Sequence, residues 1–464
     1  MIKNYDLLFK HITEKIAETD FSGYTIQYPP MFVWKSLNSD KVILRAWETI
    51  LNEEQKYLGL YIHFPYCKQR CLYCRYFSVE LKKQSDLQIY LLALNKEMEI
   101  YQRVFDRKPI HSVYFGGGTP SLLNIEQLDD LFKGVYQNFN LSQCKQVIFE
   151  GNPDFLDFKK LKLLKQWKIN RLTIGVQSLD PKVIQAMNRY QSQDSFLKCF
   201  KNARKVKIEN INIDLMVGLP SQTIKSAIST LKTVIGLQPE MIHVHPFYPT
   251  SLSLFIQNGG HLSKMDMRQR EKMAIISQIL IQNAGYKSIK FDANGKIEIA
   301  RNIQLSDAIE YNTPFLGLGA GAVSHIAGYF RYVNTNKIND YSNVLSKDRL
   351  PILSGLRLNK KDEMIYFVIA WLRYGQVDKF KFKKLFKEDL NKIFRKEIKY
   401  LVNRQKIKDT PDKIHSLMKN IGEYLVFSKY FYDRDTINRC KKEVNWQKEK
   451  MRKISEEELR YICL

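Results

Sequence analysis

The sequence predicts an α/β protein. Its centre is a six-unit open β/α barrel (56–345), preceded by an extension (1–55) and followed by a basic, mainly helical domain (346–464). Three observations predict this. From residue 57 to about 284, short apolar or aromatic runs alternate with longer helical patterns. At or near the C-terminal end of each of the six runs lies a cysteine, a glycine or a polar residue. From about residue 350 the rhythm changes to helix, turn, helix.

The strand candidates are YLGLYIHF (57–64), SVYFGG (112–117), QVIFEGN (146–152), RLTIGVQ (171–177), NINIDLMVGL (210–219) and MIHVHPFY (241–248). Helical patterns fall near 86–104, 125–138, 158–167, 193–206, 222–236 and 266–284. Strand-then-helix repetition means parallel strands with crossover helices. A dinucleotide-binding order would carry a glycine fingerprint after its first strand, whereas here that strand leads into cysteines. In a β/α barrel the chemistry sits at the C-terminal strand ends. Those ends carry Cys67, Gly116 to Thr119, Glu150, Gln177, Asp214 and Tyr248, which together read as one shared site. The extension holds a turn-rich stretch, FSGYTIQYPP, whose tandem prolines exclude a helix interior. FLGLGAGAVS (315–324) reads as a glycine-rich turn in close packing.

The 464 residues, 44% of them apolar, can fill a large core, and 26 Tyr with 26 Phe argue against disorder. The formal charge of +25 favours anionic partners without naming one. A solvated lysine-rich surface explains it as simply, and no zinc finger or RNA-binding signature supports a nucleic-acid partner. No apolar run reaches the roughly 18 residues of a membrane span, and the start does not resemble a signal peptide. A cytoplasmic, reducing setting without structural disulfides is therefore expected. Cys144, Cys199, Cys440 and Cys463 read as buried or incidental thiols.

HFPYCKQRCLYC spaces Cys67, Cys71 and Cys74 as C-x3-C-x2-C. Thiolates select iron–sulfur clusters or zinc. Zinc would complete its tetrahedron with another Cys or His, but the next His downstream is His111, and His63 lies within the strand. A [4Fe–4S] cubane on three cysteines leaves one iron open. S-adenosylmethionine (SAM) can chelate that iron through its amino and carboxylate groups, and its reductive cleavage releases a 5′-deoxyadenosyl radical. Lys68, Gln69 and Arg70 within the loop are assigned no chemistry.

The segments YIHFPYCKQRCLYC, YFGGGTPSLL, FEGNP, NRLTIGVQSLDPKVIQAMNR, NIDLMVGLPSQT and LGLGAGAVS occur in that order over residues 55–345. Together they resemble the radical SAM branch containing oxygen-independent coproporphyrinogen III oxidases, heme chaperone-like proteins and class C methyltransferases. The resemblance implies a partial (β/α)6 radical SAM barrel, a [4Fe–4S] cluster on Cys67, Cys71 and Cys74, and one or two molecules of SAM. It implies that Tyr61 packs near SAM and that Gly117, Gly118 and Thr119 receive its amino group. Glu150, Gln177, Arg189 and Asp214 match SAM-contacting positions, with Tyr248 and Val323 lining the same cavity. A carboxylate such as Asp214 suits ribose hydroxyls, and Arg189 suits a carboxylate.

Within that branch, chain length, FSGYTIQYPP, NRYQS and ARNIQ (300–304) resemble the oxidase. No HNxxYW heme motif is found. Four departures count against a simple assignment. CRYF puts Tyr76 where the oxidase has a fourth Cys, Gly23 precedes Tyr24 where it has Arg, GVQSL replaces GVQDF, and Ala300 replaces a histidine. The expected reaction is oxidative decarboxylation of two coproporphyrinogen III propionates to vinyl groups, giving protoporphyrinogen IX. The expected partners are an anionic tetrapyrrole, with Arg301 and Arg331 as candidate carboxylate binders, and a reduced donor such as flavodoxin or ferredoxin. The rivals are a radical methyltransferase or heme-modifying enzyme, and a heme-binding chaperone using His243 and His245, although these two read more readily as satisfied core histidines.

Overall fold

The computed structural model describes residues 28–37, 39–53, 57–105, 108–249, 253–260, 264–290, 293–296, 302, 312–418, 423–424 and 427–439. Most of FSGYTIQYPP, Arg301 and the basic stretch from Lys441 lie outside these residues.

The core is built as the alternation predicts. Strands β1 (Gly59–Phe64), β4 (Ser112–Gly117), β5 (Gln146–Gly151), β6 (Arg171–Gln177), β7 (Asn210–Val217) and β8 (Met241–Pro246) lie side by side in chain order. All five junctions between them are parallel. Between β1 and β4 the chain makes a short parallel pair, β2 (Tyr66–Cys67) and β3 (Val79–Glu80), and then the helix Gln84–Phe105. The later crossovers include the helices Ile125–Asn138, Phe158–Gln166, Gln193–Lys205 and Ile224–Gly236. Local sequence starts each of these four: Asn124, Asp157, Ser192 and Thr223 each accept a backbone N–H from the first turn, which satisfies donors the helix cannot pair itself.

The sheet continues on both sides of this core. Beyond β8, after the helix Lys264–Asn283, come β10 (Ala293–Gly295) and β9 (Lys287–Lys290), both antiparallel additions. On the other side β11 (Phe315–Leu318) pairs parallel with β1. It is followed by antiparallel β12 (Val323–Ile326), β13 (Phe330–Asn334) and β14 (Ile352–Arg357). The pairing order is linear from β14 to β9, so the six-unit parallel core is present and the pairing closes no ring. The main sheet runs past residue 345, through Arg357.

After β14 the chain becomes largely helical, from Lys360–Arg373 onward. It also holds a small antiparallel sheet of β15 (Gln376–Asp378), β17 (Lys413–Ser416) and β16 (Ile407–Asp409). This region has its own apolar core around Phe367, Phe382, Phe386 and Phe394. Tyr28, Val33 and Trp34 from the N-terminal extension pack into that same core, together with Val333 of β13. Within the extension, residues 28–35 thus lie between the end of the main sheet, where Lys35 bridges to Gly355, and the C-terminal region. Among the described residues, no helix is long and apolar enough to cross a membrane.

Candidate active site

The two faces of the parallel sheet differ in chemistry. Side chains alternate between faces along a strand. One face carries Leu60, Ile62, Phe64, Val113, Phe115, Val147, Phe149, Leu172, Ile174, Ile211, Ile213 and Leu215, all in the main apolar core. The other carries Tyr61, His63, Tyr114, Glu150, Thr173, Gln177, Asn212, Asp214 and His243, and these line a cavity of about 630 Å³. Strand pairing brings them into rows: Tyr61 beside Tyr114, Glu150 beside Thr173, and Gly175, Asp214 and His243 in line.

The cysteine loop closes one end of this cavity. Cys67 ends β2, and its carbonyl accepts from Leu81 N–H at 2.8 Å, so the short β2–β3 pair holds the loop over the strand ends. Cys74 N–H closes a turn onto Cys71 O at 3.1 Å. All three thiols are free, partly buried and on the cavity wall. Burial, then the neighbouring cysteines, push the Cys74 thiol up to about 12, and burial also raises Cys67. Three thiolates can share this space only with a cation among them. A single zinc would draw its sulfurs to about 3.8 Å from one another. Among the described residues, the group of three candidate ligand atoms gathered within 4.8 Å is Asp214, His243 and His245, not the cysteines. The cysteine set therefore fits a larger body with separate metal corners, as an iron–sulfur cubane has. Thr119 donates to Cys67 Sγ at 3.3 Å, and Arg189 Nη1 donates to Cys71 Sγ at 3.7 Å, so both can temper thiolate charge.

Gly117 and Gly118 pack against that loop. Gly117 has φ +115°, and a Cβ on it would meet the His63 ring at 2.8 Å. A Cβ on Gly118 would meet Tyr66 O at 2.7 Å. Their neighbourhood is tied down by Gly118 N–H to Phe64 O (2.6 Å) and Thr119 N–H to Tyr66 O (2.9 Å). These donors serve the loop itself, so what the segment offers a ligand is its carbonyls and the space left by missing side chains.

The charged groups of the cavity sit in opposite states. Burial raises Glu150 to about 7, with nearby Asp214 adding to the rise, while its hydrogen bond from Tyr114 opposes it. Asp214 is as deeply buried, which would raise it. The hydrogen bond to His243 (3.1 Å), the charges of His243 and His245, and Asn212 Nδ2 at 2.7 Å instead hold it at about 2. One carboxyl is thus poised near neutrality and the other is a firm carboxylate. Arg189 stays a cation: burial alone would lower it, but Tyr73 and Cys71 outweigh that. Its Nη1 donates to Tyr73 Oη at 2.9 Å, its Nε to Gln191 Oε1 at 2.9 Å, and its Nη2 to Gly175 O.

The cavity brings together Cys67, Cys71, Cys74, Tyr61, Gly117, Gly118, Thr119, Glu150, Gln177, Arg189, Asp214 and Val323. Tyr248 is apart from them: it lies past the end of β8, with the Arg270 guanidinium 4.1 Å from its ring centroid, and is not on the cavity wall. Arg331 does line the wall. Tyr114, the partner of Glu150, and Asn212, a partner of Asp214, are not among the strand-end residues singled out from the sequence, and His243, named there only as a candidate heme ligand or core histidine, is the other partner of Asp214. The period-two alternation within VYFGG, NINID and MIHVH was the signal that pointed to them. Tyr76, which stands in for a fourth cysteine, also lines the cavity.

A parallel α/β sheet whose strand ends converge on three thiolates defines a class, that of α/β proteins with a cysteine-held metal site. Comparison with known proteins narrows it. The family model of the radical SAM superfamily matches residues 61–234. The oxygen-independent coproporphyrinogen III oxidase of Pseudomonas aeruginosa is 31% identical over 342 residues, covering 68% of this chain and 71% of that protein. Heme chaperone HemW of Bacillus subtilis is 27% identical over 361 residues, covering 76% and 94%. The solved structure of coproporphyrinogen III oxidase (HemN) from Escherichia coli shares the fold, with a TM-score of 0.77 at 22% identity over 87% of this chain and 96% of that one. The chain belongs to the radical SAM superfamily, in the branch that holds the coproporphyrinogen oxidases and HemW.

Proposed function

We propose that this chain oxidatively decarboxylates propionate side chains of coproporphyrinogen III to vinyl groups, giving protoporphyrinogen IX. The observation that carries the reading is the shared cavity: the three cysteines, the polar strand ends and an aromatic, arginine-bearing flank all line it. When bound on Cys67, Cys71 and Cys74, a [4Fe–4S] cluster with SAM supplies a 5′-deoxyadenosyl radical able to take a hydrogen atom from carbon. Each propionate would then give its β-hydrogen to that radical, release carbon dioxide and pass one further electron to an acceptor outside the chain, leaving a vinyl group.

The chain's own groups bind and orient. Arg189, fixed by Tyr73 and Gly175, offers charge to a SAM carboxylate. The carbonyls around Gly117, Gly118 and Thr119 accept from the SAM amino group. Asp214, held ionised, accepts from ribose hydroxyls, while Glu150, Gln177, Tyr61 and Val323 line the remaining wall. Tyr248 stands outside this set unless β8 and its following loop shift. The net charge of +25 suits a reduced donor of the flavodoxin or ferredoxin kind, whose acidic surface would be steered to it.

A second reading, a heme-binding chaperone, is favoured by one observation: the His243 and His245 rings lie 5.2 Å apart on one strand face. His243 is already held by Asp214, which weakens it as an axial ligand. The test is anaerobic turnover of the reconstituted, reduced protein with SAM and coproporphyrinogen III, followed by mass spectrometry. Loss of two carbon dioxide units, abolished in Cys71→Ala, is expected. Deoxyadenosine without decarboxylated product would overturn the reading. S-adenosylhomocysteine beside it would mean methyl transfer, and tight heme binding with little SAM cleavage would mean the chaperone.

A further inference from the structure

Arg331 sits on β13 and is only 3% exposed. One edge of its guanidinium is used: Nη1 donates to Tyr28 O at 2.9 Å. Its plane is used as well, with Cζ 3.8 Å from the Tyr366 ring centroid. Nε and Nη2 are buried and have no hydrogen-bond partner. These two N–H groups point the same way from a guanidinium, forming the side-on fork that matches the two oxygens of a carboxylate. A buried donor without a partner is destabilising, so an arginine kept with its fork empty is a feature that needs an occupant.

The neighbouring acid does not fill it. Glu363 Oε1 accepts from His325 Nε2 at 2.9 Å and from Gly328 N–H at 2.6 Å. Burial would raise Glu363, but His325 and Arg331 hold it as a carboxylate at about 2. It balances the Arg331 charge at a distance and leaves the fork free. Arg331 lines the same cavity as the cysteines, on the flank walled by Met31, Phe315, Val323 and Tyr366. Asn334, Asn336 and Ser354 also reach the cavity wall, so the apolar and aromatic side chains are mixed with uncharged polar ones.

We infer that Arg331 is a substrate-anchoring residue, whose Nε–Nη2 fork binds a carboxylate borne by a flat, apolar body lying against Met31, Phe315, Val323 and Tyr366. The inference deepens the proposed function and rests on the cavity being the substrate site. The N-terminal extension gains a role from it. Through the Tyr28 carbonyl the extension holds the opposite, Nη1 edge of the guanidinium and so aims the fork.

The test is equilibrium binding to the full, cluster-reconstituted chain, followed by fluorescence. The probes are coproporphyrin III and its tetramethyl ester, and 2-naphthylacetate and its methyl ester. The wild type is expected to prefer acid over ester by about 10- to 100-fold in Kd. Arg331→Gln is expected to lose that preference. Arg331→Lys keeps the charge without the fork, and is expected to lose most of it. Cluster content and circular dichroism report whether each variant is folded. The wild-type acid-to-ester comparison stands even if both variants fail to fold. Equal binding of acid and ester by the wild type would overturn the inference, as would an unchanged preference in a folded Arg331→Gln protein. If coproporphyrin III fails to bind while naphthylacetate shows an Arg331-dependent acid preference, the tetrapyrrole reading falls and the anchor stands.

Discussion

The cysteine side of the cavity and its Arg331 side are assembled in different ways. On the cysteine side, Cys67, Thr119, Glu150, Gln177 and Asp214 come from successive parallel strands or the loops just after them, so each is carried by its own short motif. On the other side, Tyr28, Arg331 and Tyr366 come from the extension, an antiparallel strand and a helix of the C-terminal region, separated by up to 338 residues (366 − 28). A site built from contiguous repeats holds its chemistry wherever the fold holds. A site built from three distant segments can be retuned by changing any one of them. That suits a division in which the radical-generating half is fixed and the substrate half varies.

The largest expected effect breaks the first side. Cys71→Ala leaves too few thiolates, and we expect loss of bound iron and sulfide together with all deoxyadenosine formation, measured by metal analysis and chromatography. Arg189→Ala comes next. It strands the Gly175 carbonyl and the Tyr73 hydroxyl and removes a buried cation beside Cys71. Turnover should fall by about 10²- to 10³-fold, as for loss of a preorganised charge-stabilising donor, with cluster content largely kept.

Glu97 joins the two sides. It accepts from Gly319 N–H at 2.8 Å, Asn334 Nδ2 at 2.7 Å and Tyr341 Oη at 2.5 Å, and so anchors the β11–β12 turn from below. Burial raises its carboxyl to about 7. A folded value above the unfolded one of about 4.3 means that its contribution is complete below pH 4.3 and is lost as pH rises through 7. Glu97→Gln should therefore flatten the fall in unfolding free energy across that window, by up to about 4 kcal/mol. Chemical denaturation at a series of pH values reads this directly, and an unchanged slope would contradict it. The smallest expected effect is on the second side. Tyr366→Leu removes the ring under Arg331 and should cost about 0.5–2 kcal/mol of stability, seen as a lower denaturation midpoint, while iron and sulfide content stays unchanged. A loss of cluster in that variant would mean that the two sides are not separable.

Much of the first side was legible because alternation and spacing are local. The six parallel strands and their crossover helices fall where the apolar rhythm places them, and the glycines at 116–118 mark the close approach to the cysteine loop. Tyr114 does not stand out at the strand ends, since it lies one pleat deeper on the same face, and His243, read as a heme ligand or a core histidine, proves to be the partner of Asp214. The Arg331 fork could not be foreseen in its geometry, because an unpartnered edge is a property of packing between segments remote in sequence. The small β15–β17–β16 sheet was hidden for another reason: strands of three or four residues carry too little alternation to stand out among basic helices.

If a SAM-derived radical removes hydrogen from a propionate held in this cavity, that hydrogen ends in the deoxyadenosine. The most direct measurement is anaerobic turnover with coproporphyrinogen III deuterated at the β-carbons of its propionates, followed by mass spectrometry of the deoxyadenosine formed. Deuterium in the deoxyadenosine, matched by vinyl product, is the expected result. Unlabelled deoxyadenosine alongside intact substrate would contradict the account.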